Sequence, residues 1–118
     1  MPTLSGDTTG FYAPIKLVAA DISSAPKEVH SVPDGETHSV WLDLINRSAG
    51  AVVVTVLKGG TTDPDHAEKV EVAPYKRRRV LDGQRVAGSG GTAGKIKCYI
   101  ASGDADKISV DGHYNLVS

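Results

Sequence analysis

Two adjacent segments alternate apolar and polar residues with a period of two, and this limits the chain to β-structure more than any other feature. From Glu36 to Arg47, Val40, Leu42 and Leu44 fall on one face, and Ser39, Trp41, Asp43 and Ile45 on the other. From Gly50 to Lys58 the run Ala51–Val52–Val53–Val54–Thr55–Val56–Leu57 is rich in β-branched residues and bounded by glycines. Successive side chains point to opposite faces of a strand, so both segments are expected to be strands. The short link at Ser48–Ala49–Gly50 suggests a hairpin that makes them neighbours in one sheet.

The rest of the chain continues in the same style. Ala13–Ile22 contains a first strand candidate, and further candidates are Glu28–Val32, Glu68–Ala73, Tyr75–Leu81, Lys95–Ala101 and Lys107–Val117. Turn chemistry separates them. In Val32–Pro33–Asp34–Gly35, Pro presets φ and Gly permits positive φ; Asp82–Gly83 and Ser102–Gly103–Asp104 read as turns for similar reasons. Pro74 ends one strand, while Gly59–His66 and Gly88–Gly94 read as loops. No stretch has the pattern of a helix of three turns. Short strands at this spacing imply an all-β fold, an antiparallel β-sandwich resembling a jelly roll.

At 118 residues one domain is expected, large enough to bury a core without disulfides. Residues 1–12, rich in Ser, Thr, Gly and Pro, read as a flexible N-terminal arm, and 13–118 as the single sandwich domain. The aromatic residues are only one Phe, one Trp and four Tyr, so Val, Ile, Leu and Ala are expected to build the core. Cys98 alternates with Ile96 and Ile100 and reads as a small core hydrophobe rather than a reactive thiol.

Composition and motifs argue against several functions. Thirteen basic and fourteen acidic residues give a net charge of −1, against the basic excess that nucleic-acid binding needs. No apolar run approaches a membrane span, and the N-terminus lacks the pattern of a secretion signal, so synthesis in a cytoplasm is expected. Gly88–Lys95 resembles a phosphate-binding loop but has Ser89 and Ile96 at two required positions, and a strand follows where a helix is needed. His30, His38, His66 and His113 lack metal-ligand spacing; His30 and His38 could meet across a hairpin as exposed strand histidines. Asp63–Pro64–Asp65 and Asp104–Ala105–Asp106 read as turns rather than calcium loops. No nucleophile has an activating histidine and orienting acid near it in sequence, so no enzyme, metal or cofactor is expected.

Lys76–Arg77–Arg78–Arg79 is the one concentrated charge. In a strand Lys76 and Arg78 point one way, Arg77 and Arg79 the other. Such a run suits a charged edge strand that blocks unwanted pairing, or a contact with an acidic partner.

The order Val32-Pro33-Asp34-Gly35, then the Val40–Asn46 strand ending in Asn46-Arg47-Ser48, then Ala51–Leu57, resembles the small β-sandwich virion proteins of tailed bacteriophages, capsid decoration (cement) proteins especially. Val72-Ala73-Pro74, Val80 to Gly83, Ile100-Ala101-Ser102-Gly103 and Ile108-Ser109-Val110-Asp111-Gly112 fit the same style, so the resemblance covers about residues 29–118. It implies a structural protein on the outer capsid surface of a virion, a homotrimer bound to the major capsid protein and bracing the shell, without nucleic-acid or membrane contact. In that reading Leu4, Phe11 and Tyr12 anchor the arm, and Arg77, Arg78 and Arg79 meet an acidic capsid patch. Two alternatives stay open: a neck, tail or head-fibre component, and a carbohydrate-binding sandwich using rings among Trp41, Tyr75, Tyr99 and Tyr114.

Overall fold

The computed structural model describes residues 15–59, 67–88 and 94–117. The arm proposed for residues 1–12, with Leu4, Phe11 and Tyr12, lies outside them. The described chain forms eight strands: β1 (Ile15–Lys16), β2 (Lys27–Ser31), β3 (Thr37–Asn46), β4 (Val52–Lys58), β5 (Ala67–Val72), β6 (Arg77–Ala87), β7 (Lys95–Tyr99) and β8 (Ile108–Leu116). A short 3₁₀ turn at Ser102–Asp104 lies between β7 and β8.

The strands make two four-stranded sheets, ordered β1-β8-β3-β6 and β2-β7-β4-β5, with every pairing antiparallel. The expected all-β antiparallel sandwich is therefore present. Pairing is nested: the first strand pairs with the last, β2 with β7, β3 with β6 and β4 with β5. The core lies between the sheets and consists of Val, Leu, Ile and Cys98; the Ala expected to share in it is absent from the buried set among the described residues. Val40, Leu42 and Leu44 of β3 and Val52, Val54 and Val56 of β4 all belong to this layer. Burial pushes the Cys98 thiol up to about 12, so it stays protonated and unreactive.

Two expectations are corrected. β3 and β4 are not neighbours in a sheet but lie in different sheets, and residues 47–51 form an arch between them. Asn46 holds that arch: its Nδ2 donates to the Gly50 carbonyl at 2.8 Å and to the Val72 carbonyl at 3.0 Å. Its Oδ1 accepts from the Ser48 amide at 2.9 Å and the Ser48 hydroxyl at 2.8 Å. The first strand, expected within Ala13–Ile22, is the two-residue β1; Leu17 then plugs the core, and Asp21 Oδ2 accepts from the Val18 amide at 2.8 Å to close a turn. The second correction is that Asp82–Gly83 does not turn the chain. β6 runs straight through it, with register shifts opposite Val40/Trp41 and Leu42/Asp43 that leave Gly83 and Val80 as unpaired extra residues. Gly83 takes φ +78, and its bare Cα leaves room for the Trp41 ring, which an added Cβ would approach to 3.3 Å.

Candidate interaction surface

The β6 bulges decide which side chains reach the outer face of the first sheet. With strict alternation Arg79 and Asp82 would point to opposite faces; the extra Val80 turns Leu81 into the core and Asp82 outward beside Arg79. The face then carries Trp41, Asp43 and Ile45 from β3, Ser109, Asp111 and His113 from β8, and Arg77 and Arg79 from β6.

Asp43 is the centre of this face. Arg77 Nη1 donates to its Oδ2 at 2.8 Å and Arg79 Nε to its Oδ1 at 2.9 Å. Arg77 also reaches Asp111 at 3.2 Å, and Arg79 reaches Asp82 at 3.3 Å. Burial alone would raise the Asp43 carboxyl, but hydrogen bonds from Arg79 and Arg77, with their charges, outweigh it and hold the group below its ordinary value. Both arginine side chains remain about half exposed, at 52% and 49%. They are thus held in place yet open to a partner. Trp41 stacks on His113 beside them, ring centroids 4.6 Å apart and planes within 7°.

Arg78 belongs to a different site. It points to the other side of β6, as the alternation requires, and its Nη1 donates to the Glu71 carbonyl of β5 at 2.9 Å, tying the two sheets together at this edge. The basic run does lie on an edge strand, β6. At its start Tyr75 is 69% exposed and takes φ +57, unusual for a bulky residue, in a turn where its amide donates to the Ser48 carbonyl at 3.2 Å.

A second concave region lies on the outer face of the other sheet, a cleft of about 490 Å³ whose lining includes Val53, Thr55, Lys69, Tyr99 and Asp104. Its walls mix apolar and polar groups. Among the described residues no three or more His, Cys, Asp or Glu side chains gather as a metal site. No described helix is long and apolar enough to cross a membrane.

Sequence reasoning misplaced one cluster outright. His30 and His38 are not exposed but buried, at 1% and 3% exposure, and they meet between the two sheets rather than across a hairpin. His30 Nε2 and His38 Nδ1 are 2.9 Å apart, and His38 Nε2 lies 2.9 Å from Glu36 Oε1. The Tyr114 ring stacks on His38 with centroids 4.3 Å apart, and tilts against His30 at 4.8 Å. Burial, and then the proximity of His38, lowers His30 to about 4. The sequence signal was slight: two histidines on the core-facing side of strands that proved to lie in opposite sheets. Comparison of the chain with protein-family models, curated proteins and solved structures gave no match.

Proposed function

We propose that this protein is a structural component of a phage virion, a capsid decoration protein that binds the outer face of the head and stabilises the shell. The observation that carries this reading is the outer face of the first sheet, where Arg77 and Arg79 are half exposed yet oriented by Asp43, with exposed Tyr75 in the turn that leads into the same strand. Tyr and Arg are the residue types that dominate interface energetics, and side chains already ordered lose less entropy on docking. An acidic patch on a major capsid protein would complement this face, with Arg78 contributing from the edge. The nested strand pairing supports reading the sandwich as a jelly roll, an architecture common in virion proteins. Trimers at three-fold positions of the shell fit this mode of bracing.

The test is sedimentation of the purified protein with undecorated capsids, with its mass in solution measured by light scattering. The expected result is a trimer that binds to saturation, with binding weakened tenfold or more by Tyr75→Ala. A ring of six or more that ignores the shell would favour a neck or tail position. Absence of any capsid association would overturn the reading.

A second reading, glycan binding, rests on the cleft of the other sheet, where the Tyr99 ring lies among Thr55, Lys69 and Asp104. An aromatic ring flanked by hydroxyl, amino and carboxyl groups suits a sugar. Binding on a glycan array that is lost in Tyr99→Ala would establish it.

A further inference from the structure

The buried histidine pair has a proton arithmetic that sets it apart from the rest of the interior. The Glu36 carboxylate accepts only from a protonated His38 Nε2, which leaves His38 Nδ1 to accept from His30 Nε2–H. Two protons on four ring nitrogens therefore satisfy both contacts with neutral rings. A third proton must go to His30 Nδ1, which is buried without a hydrogen-bond partner among the described residues, or to the shared contact. In the shared contact it would set two N–H donors against each other at 2.9 Å. Either position is costly.

The described surroundings offer no relief. His30 of β2 pairs with Ile96 of β7, and His38 of β3 pairs with Val86 of β6. Tyr114 of β8 covers both rings. Lys58 of β4, which also pairs with Ile96, is bound to Glu68 of β5 at 2.8 Å, and Lys95 of β7 to Glu28 of β2 at 3.2 Å. Glu36, on the turn before β3, is the one carboxylate bonded to the rings among the described residues, and it already holds His38.

The contact also has mechanical weight. β2 is an edge strand of one sheet and β3 an inner strand of the other, so this bond spans the sandwich at the end where the chain also closes through Val32 N–H to Gly94 O, Gly88 N–H to Glu36 O and Val117 N–H to Thr37 O, each 2.8 Å. We propose that the Glu36–His38–His30 chain is an acid-release clamp: a proton that the closed pair cannot accommodate is taken up as the link between the sheets breaks, so acid favours opening of this end of the sandwich while the Asn46 end stays closed.

Amide hydrogen exchange on the intact protein between pH 7 and pH 4.5, corrected for the chemistry of exchange, tests this. Protection of Val32, Gly88 and Val117 is expected to fall relative to that of Asn46 and Arg47, by up to roughly tenfold for each pH unit below about 6.5. His30→Gln keeps a donor for His38 Nδ1 but cannot take the extra proton, so the difference between the two ends should lose most of its pH dependence. If that variant does not fold, nitrogen-15 shifts of the wild-type rings give the independent readout, with His30 expected to titrate together with the loss of protection at its own end. Equal loss at both ends, or protection at the histidine end that is insensitive to pH, would overturn the proposal.

Discussion

The two ends of the sandwich are closed by buried polar side chains that differ in one respect. Asn46, at the end of β3, uses both N–H donors and both acceptor sites of its amide, on Gly50, Val72 and Ser48. His38, near the start of the same strand, joins a cluster that leaves His30 Nδ1 without a partner among the described residues. Both clusters link strands of different sheets where the flat apolar faces run out and backbone must cross. An amide does so with no dependence on pH, whereas imidazoles make the closure conditional on their charge. Where the first end gives rigidity, the second gives a response.

The comparison breaks most sharply at Asn46. Asn46→Asp removes the donors to two carbonyls and sets a charge against them, and is expected to cost about 4 kcal/mol in urea unfolding. A loss below about 1 kcal/mol would mean that the arch is held by something else. The next largest effect needs no substitution. His30 titrates at 6.5 when free and at about 4 when folded, so between these values the unfolded chain binds more protons. Stability is then fully present above about pH 6.5 and declines as the pH falls towards 4, by roughly 3 kcal/mol in all. Urea titrations at half-unit pH steps measure this, and a flat profile above pH 4.5 would contradict it. Ser48→Ala removes one hydroxyl that bonds Asn46 Oδ1 and is expected to cost about 1 kcal/mol at any pH. The smallest effect is expected for Tyr75→Gly, because relief of the φ +57 strain offsets the added freedom of the unfolded chain. Its thermal midpoint should move by less than that of Ser48→Ala, while capsid association weakens if the proposed docking face is correct.

The way these residues escape or submit to sequence reading is instructive. Cys98, Ile96 and Ile100 were legible as core because alternation reports which side chains share a face, and all three are buried. The opposed directions of Arg77 and Arg78 were legible for the same reason, and the first reaches Asp43 while the second reaches Glu71. Alternation does not report which sheet a strand joins. The link at 47–51 therefore read as a hairpin although Asn46 makes it an arch, and Asp82–Gly83 read as a turn although a positive-φ glycine serves a bulge equally well. The Asp43 cluster depends on that bulge, so its members Arg79 and Asp82 could not be grouped by spacing.

Period-two patterning, scarce aromatic residues and turn-forming glycines determined by themselves that this chain is a small all-β sandwich with a Val-, Leu- and Ile-rich core, because burial of one strand face is a local property of the chain. The nested order of the strands, the arch at Asn46, the arginine pair held by Asp43 and the meeting of His30 with His38 were decided only by the tertiary structure. Each brings together side chains from strands whose pairing or sheet membership arises from long-range contacts, and the free energy of those contacts is not written in any single stretch of residues.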